Sequence, residues 1–139
     1  MQTTQPTQPT QTPGIAQALT ELLFRRELTV EQATRQYFTD DYRQRTDGVW
    51  SDRNEFIEHI EHLRGVVADG HVEVHEELRE GSGYADRHTV HVVKTDGSAA
   101  SFEVYLFAQL AEDGRLHRVH ETTMILAGAE ADRGLGSAR

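Results

Sequence analysis

Hydrophobic residues recur at two different spacings along this chain, and the spacing changes near Gly70. Before that point, two stretches show the three- and four-residue spacing of an amphipathic helix. They comprise Ile15, Ala18, Leu19, Leu22 and Leu23 in the first, and Phe56, Ile60, Leu63 and Val67 in the second. We expect the helix formed by the second stretch to end at Gly70.

Two short polar motifs mark helix starts in the same region. Thr29 with Gln32, and Asp52 with Glu55, have the residue types and spacing of a capping box. The first motif predicts a further helix that runs through Tyr37, and the second begins the helix that ends at Gly70. The sequence before Gly70 therefore predicts three helices.

After Gly70 the hydrophobic period becomes two, which is typical of strands. Strands are predicted at residues 72–79, 84–94, 101–111 and 116–126, and the dipeptides at 96–97 and 113–114 are Asp-Gly, a strong hairpin signal. Helices followed by an antiparallel meander predict an α+β domain with the helices on one face of a curved sheet.

Both ends of the chain differ in composition from this region. Residues 1–13 consist of Gln, Thr and Pro with almost no apolar residue, and residues 128–139 are small and polar. We expect a disordered leader at 1–13, a folded domain at 14–127 and a flexible tail at 128–139.

The last hairpin predicts which way Glu121 points. A two-residue turn at Asp113-Gly114 pairs Leu106 with Glu121 and Val104 with Thr123, and paired residues share a face of the sheet. Their face is the more apolar one and should lie against the helices. A carboxylate there is disfavoured in its charged form, so its pKa should rise towards the range useful for proton transfer. The alternative is a glutamate at the rim, or one paired with an arginine.

The opposite face of the same hairpin is amphipathic. Tyr105, Phe107, Met124 and the stem of Arg118 would form a flat patch there, which predicts a homodimer through the outer face of the sheet. The alternative is a solvated face with scattered aromatic residues.

The sequence allows two registers for the 84–94 strand. A two-residue turn at Asp96-Gly97 places His91 on the face of the helices, where it would share a proton with Glu121. The competing register places Val90 and Val92 there, which is the better apolar fit. The register thus decides whether His91 or His88 faces the helices.

Composition excludes several classes of function. The 139 residues carry a net charge of −9, which argues against binding to nucleic acid or to an anionic membrane. No stretch approaches the roughly 18 apolar residues of a membrane span, and no signal peptide is recognisable. The absence of cysteine removes thiolate chemistry and is compatible with the cytoplasmic location that we expect. None of the eight histidines belongs to a compact metal-ligand motif, so no metal is expected.

Two segments resemble the SnoaL-like branch of the nuclear transport factor 2-like superfamily. They are "YFTDDYRQRTDGVWSDRNEFIEHI" (residues 37–60) and "FAQLAEDGRLHRVHE" (residues 107–121). The resemblance implies a cone-shaped α+β barrel with an apolar pocket between the helices and the concave face of the sheet, often dimeric through the convex face. It also implies chemistry without a cofactor. SnoaL-like members include polyketide cyclases, and wider relatives include ketosteroid isomerase, scytalone dehydratase and limonene epoxide hydrolase, whereas other members only bind ligands or partners.

The resemblance also implies a set of site residues. The acidic residue on the family's last strand falls on Glu121, and a histidine of the family's D-Y-x-Q-H run is replaced by Arg45. The catalytic residues predicted here are Glu121, His91 and Asp41. The predicted substrate-binding residues are Tyr37, Tyr42, Trp50, Phe56, Leu106 and Thr123.

Two functions follow as hypotheses. The first is an enzyme that cyclises, isomerises or dehydrates a hydrophobic, oxygenated small molecule by acid–base proton transfer. The second is a non-catalytic, dimeric module of the same fold that binds a ligand or serves as structure.

Overall fold

The computed structural model of the protein describes residues 14–128 and 132–135. Its helices are α1 (Ile15–Leu23), α2 (Val30–Tyr37) and α3 (Arg53–Val66). Its strands are β1 (Phe38–Thr46), β2 (Val49–Asp52), β3 (Val67–Glu80), β4 (Gly83–Lys94), β5 (Ala99–Leu110) and β6 (Leu116–Ala127). The predicted α+β class with three helices is confirmed. The predicted leader at residues 1–13 lies outside the described residues.

Both predicted capping boxes are present. The Thr29 hydroxyl accepts a hydrogen bond from the Gln32 backbone N–H at 3.0 Å, and the Gln32 side chain accepts one from the Thr29 N–H at 2.9 Å. Asp52 and Glu55 form the same reciprocal pair at 2.9 and 3.0 Å. These contacts satisfy donors that a helix start leaves without partners, so α2 and α3 begin where their sequences predict.

The sheet has six strands in the order β2-β1-β6-β5-β4-β3, and it is open, with β2 and β3 at its edges. The predicted meander corresponds to β3–β6, which are antiparallel neighbours. Strands β1 and β2 were not predicted. Strand β1 lies parallel to β6, so the sheet is not wholly antiparallel, and β1 carries its inner side chains to the edge of the last hairpin.

Gly70 does not end the third helix, contrary to the expectation from its sequence. Helix α3 stops at Val66, Val67 is already extended (φ −103°, ψ 126°), and Gly70 lies within β3. A Cβ atom at Gly70 would stand 2.2 Å from the backbone oxygen of His91 and 2.7 Å from the ring of Phe24. Glycine is needed there for close approach of chain segments rather than for helix termination.

The hydrophobic core fills the space between the helices and the inner face of the sheet. The rings of Phe38, Tyr42 and Phe56 pack together with centroids 4.7 to 5.1 Å apart. On the outer face, the hairpin of β5 and β6 leaves large apolar side chains exposed, among them Tyr105 and Phe107. The two faces of the hairpin therefore differ in burial as predicted.

Residues 132–135 pack against the domain. Asp132 is buried, and its carboxylate accepts a hydrogen bond from Lys94 Nζ at 2.5 Å. Leu135 reaches the main cavity. This ion pair and an apolar contact hold the segment, and the flexible tail expected over 128–139 stays a prediction.

In the described part of the chain, no helix combines the length and the apolar character that crossing a membrane requires.

Candidate functional site

A cavity opens between helices α1 and α3 and the inner face of the sheet. The cavity volume is about 100 Å³, whereas one water needs only about 10–15 Å³ on the same measure. Most of its wall is apolar. Its polar lining residues are Tyr42, Gln44, His59, His88, Glu121 and Thr123. A mostly apolar cavity with a few converging polar groups is the usual form of a small-molecule site.

Glu121 lies on the inner face, as the hairpin register predicts. Strand pairing sets it opposite Leu106, and Thr123 opposite Val104. The register shifts by one residue near the turn, where Leu110 pairs with Leu116 instead of His117. The turn is one residue longer than predicted, because the Ala111 N–H bonds to the Arg115 oxygen, and this shift restores the predicted pairs that orient Glu121 inwards.

The surroundings of Glu121 favour its protonated form. Burial raises the pKa of this carboxyl above its ordinary value of 4.5, and the negative charges of Asp47 and Asp86 act in the same direction. The hydrogen bond from Thr46 Oγ1, 2.8 Å from Oε2, and the nearby His88 oppose the shift and lower the pKa. Burial is the largest of these effects, so the net pKa is raised.

His88 and Asp86 form a buried pair on the inner face of β4. Nδ1 of His88 lies 2.9 Å from Asp86 Oδ1 and 3.1 Å from Oδ2, and both side chains are almost fully enclosed. A carboxylate only accepts hydrogen bonds, so Nδ1 carries a proton. In the neutral ring Nε2 is then the acceptor, and it is the nitrogen that remains for a molecule in the cavity.

His91 points away from the cavity, so its predicted contact with Glu121 does not form. Strand β4 pairs Val90 with Phe102 and His91 with Ser101, which is the competing register. On the outer face, His91 Nδ1 contacts Ser101 Oγ at 2.9 Å, and Nε2 contacts Glu73 at 3.1 Å. The side chains change faces because a one-residue slip inverts every position of a strand.

Asp41 and Trp50 also lie outside the cavity. The Asp41 carboxylate is exposed, and a hydrogen bond from the Thr39 hydroxyl at 2.8 Å is the main cause that lowers its pKa. Trp50 is 41% exposed and packs edge-on against the ring of His120, with Arg43 over its face. Both side chains are on the solvent side of their strands, and this corrects their predicted place at the pocket.

Tyr37 is buried, but it lines a separate small cavity together with Arg115 and Leu116. Burial and a hydrogen bond to Glu21 raise the pKa of its hydroxyl to about 12. The structure does bring the other predicted binding residues into the wall of the main cavity. These residues are Tyr42, Phe56, Leu106 and Thr123. Their binding role stays a prediction.

Sequence reasoning left Asp86 out of the site, named His88 only as the alternative to His91, and left out Thr46. The signal for the first two is the alternation along β4, where they share a face with Val90 and Val92. The buried pattern of that strand places acid and imidazole beside apolar cavity residues. Thr46 had no such signal, because β1 consists largely of polar residues. Among the described residues, no three His, Asp or Glu side chains are grouped so as to hold a metal ion.

The profile of the SnoaL-like domain family matches residues 17–119. An uncharacterized protein of Schizosaccharomyces pombe is 32% identical over 106 residues, which are 76% of this chain and 81% of that protein.

Three solved structures illustrate the structural likeness. A candidate isomerase from Rhodopseudomonas palustris aligns with a TM-score of 0.62 at 14% identity, over 77% of this chain and 84% of that one. A hypothetical protein from Catenulispora acidiphila has a ketosteroid isomerase-like fold and was solved in complex with trimethylamine. It aligns with a TM-score of 0.60 at 13% identity, over 80% of this chain and 85% of that one. IdmH, a proposed polyketide cyclase from Streptomyces antibioticus, aligns with a TM-score of 0.58 at 12% identity, over 67% of this chain and 79% of that one. At these identities the matches establish the fold alone.

Proposed function

Since the chain belongs to the SnoaL-like domain family, we propose that it is a small-molecule enzyme that moves a proton on an apolar, oxygenated substrate. The reaction class is cyclisation, isomerisation or dehydration, without a cofactor. One observation carries the proposal: the carboxyl of Glu121 and the imidazole of the Asp86–His88 pair line the same apolar cavity.

The two groups have complementary roles in the proposed chemistry. His88 Nε2 takes a proton from the carbon next to a substrate carbonyl, and the electrons of that C–H bond form the carbon–carbon double bond of an enol. Protonated Glu121 gives its proton to the carbonyl oxygen, which would otherwise carry the negative charge. Asp86 holds the imidazole in the tautomer that accepts at Nε2. Two titratable groups in different surroundings thus divide the acid and base roles.

The test uses 2-tetralone, an apolar ketone with acidic protons next to its carbonyl, as the probe. In deuterated buffer, NMR follows the exchange of these protons for deuterium. We expect wild-type protein to accelerate the exchange and Glu121→Gln and His88→Gln to abolish the acceleration. Glu112→Gln, at an exposed position in the β5–β6 turn, is the matched control and should behave as wild type.

Equal exchange rates in wild type and Glu121→Gln, or no acceleration by wild type, would refute the proposal. Binding of 2-tetralone without accelerated exchange would favour the second function, a non-catalytic ligand-binding module with the same cavity.

We further propose that two copies associate through the outer face of the sheet. Tyr105 is 51%, Phe107 71% and Met124 50% exposed, and all three lie on the outer face of β5 and β6. Burial of such side chains favours association. Analytical ultracentrifugation should give the mass of two chains for wild type and of one chain for Phe107→Lys. A single-chain mass for wild type would contradict this proposal. A cytoplasmic location stays a prediction.

A further inference from the structure

A continuous series of hydrogen bonds runs along the inner side of β1 and ends on Glu121. The Tyr42 hydroxyl donates to Gln44 Oε1 at 2.8 Å, and Gln44 Nε2 donates to Thr46 Oγ1 at 2.9 Å. The Thr46 hydroxyl then donates to Glu121 Oε2 at 2.8 Å. Tyr42, Gln44 and Thr46 alternate along the strand and are each no more than 6% exposed.

The donors in this series all point towards Glu121. The Thr46 oxygen already accepts from the Gln44 amide, so its single hydrogen is directed at the carboxyl. Reversing the series would require the Gln44 amide to turn over and donate to the Tyr42 oxygen. The Tyr42 hydrogen would then lose its acceptor, since no other residue among 14–128 and 132–135 accepts from it. A buried hydroxyl without an acceptor is unfavourable, so the observed direction is preferred.

The two oxygens of Glu121 are therefore different. Oε2 accepts the Thr46 hydrogen bond, whereas no side chain in the described ranges donates to Oε1. Glu121 borders the cavity, where the other titratable groups are Tyr42 from β1, His59 from α3 and His88 from β4. Asp47 from the β1–β2 turn and Asp86 from β4 also act on Glu121 electrostatically. Both of these aspartates are acceptors and neither supplies a donor to Oε1.

We propose that Tyr42, Gln44 and Thr46 are positioning residues that keep Oε2 of Glu121 as a hydrogen-bond acceptor and leave Oε1 as the oxygen that exchanges its proton with a bound molecule. The proposal rests on the proposed function for the reacting role of Glu121. The proposal also narrows the chemistry of the ligand. The hydrogen on Oε1 needs an acceptor, so the ligand group opposite Oε1 is a hydrogen-bond acceptor such as a carbonyl oxygen. An ammonium group at that position would have no acceptor lone pair to offer.

The test measures the titration of Glu121 itself, which requires no substrate. The side-chain carboxyl is labelled with ¹³C and followed by NMR against pH, with Glu121→Gln identifying its signal. Thr46→Val removes the hydrogen bond that stabilises the charged carboxylate, so the midpoint should move upwards on the order of one pH unit. Thr46→Ser keeps the hydroxyl and should titrate as wild type. Tyr42→Phe acts through two intermediate groups and should cause a smaller shift in the same direction.

An unchanged or lower midpoint in Thr46→Val, with native circular dichroism, would overturn the proposal. Equal shifts in Thr46→Ser and Thr46→Val would overturn it as well, because the hydroxyl would then be irrelevant. The outcome is separable from that of the proposed function. The expected shift together with no deuterium exchange by wild type would keep the hydrogen-bond series and reject the enzyme. Deuterium exchange by wild type together with an unmoved titration midpoint in Thr46→Val would keep the enzyme and reject the role of the hydrogen-bond series.

Discussion

The contribution of Glu121 to the stability of this protein is expected to fall as the pH rises through its titration, and Glu121→Gln should remove that contribution. Burial raises the pKa of the carboxyl in the folded state above its ordinary value of 4.5. The folded chain therefore binds this proton more tightly than the unfolded chain does. Below pH 4.5 both states are protonated, and burial of the carboxyl carries no charge penalty. Above it, the unfolded state ionises first, and the free energy of unfolding declines until the folded state has ionised too.

The size of the effect follows from the count of one proton. Between pH 4.5 and the raised pKa, the folded state holds up to one more proton at this site than the unfolded state. The free energy of unfolding should then fall by up to about 1.4 kcal/mol per pH unit relative to a variant without the group. Glutamine is close in shape, and its side-chain oxygen can accept the hydrogen bond from Thr46. The variant should gain stability over wild type as the pH increases.

Urea unfolding of wild type and Glu121→Gln at a series of pH values measures this difference. Taking the difference cancels the contributions of all other titrating groups that the substitution leaves unchanged. Glu112→Gln, at an exposed position, controls for the loss of a surface carboxylate and should show little slope. The free energy of unfolding of Glu121→Gln minus that of wild type should rise with pH. If this difference stays flat or falls with pH, the reasoning that burial of Glu121 opposes its charge is refuted.

Two further substitutions test the local structure by urea unfolding. Thr29→Ala removes the hydroxyl that caps the Gln32 N–H and should lower the free energy of unfolding by about 1 kcal/mol, whereas Thr29→Ser should retain it. Gly70→Ala places a Cβ atom 2.2 Å from the backbone oxygen of His91 and should be destabilising by about 1–3 kcal/mol or more. Gly65→Ala, in α3 with open space around it, should instead be stabilising by about 0.5–1 kcal/mol. Equal effects at both glycines would show that the close approach at Gly70 is not what requires glycine.

Glu121 lies on the predicted face of the sheet, although the turn between β5 and β6 differs from the predicted one. The Ala111 N–H bonds to the Arg115 oxygen at 2.8 Å, so three residues separate β5 from β6 instead of the predicted two, and Gly114 has φ 90°. The register shift between Gln109 and Leu110 offsets the extra turn residue and restores the predicted pairs from Gln109 with Arg118 onwards. Burial of the apolar face of this hairpin therefore fixes its register more strongly than the turn does.

The register of β4 was not predictable, although its turn also contains Asp-Gly. In the structure the Lys94 N–H bonds to the Ser98 oxygen at 2.7 Å, so three residues separate the strands, and Gly97 has φ 90°. A two-residue turn would bring His91 inside, and the observed three-residue turn brings in His88. Sequence alone allows both turns, and the choice depends on packing of Val90 and Val92 against the helices.

Strand β1 was missed for a different physical reason. Its segment, FTDDYRQRT, lacks the alternation of apolar and polar residues by which strands are recognised. Its inner face presents Tyr42, Gln44 and Thr46, which are buried because they satisfy one another's hydrogen bonds. Polar residues at buried positions break a binary pattern, and such exceptions concentrate at functional sites. The missing alternation along β1 thus coincides with the polar residues of the candidate site.

The strand order explains how these separate predictions and omissions meet in one site. Pairing sets Asp86 of β4, Leu106 of β5, Glu121 of β6 and Thr46 of β1 in one row across four neighbouring strands. Neighbouring strands are about 4.8 Å apart, so the strand positions of the two acids are separated by about 10 Å with Leu106 between them. Leu106 is buried between the positions of Asp86 and Glu121, and the two carboxyls do not have to share one proton, as they would at hydrogen-bond distance. One acid is then free to orient His88 while the other keeps its own proton. The apolar residue is as necessary to this division of roles as the acids are.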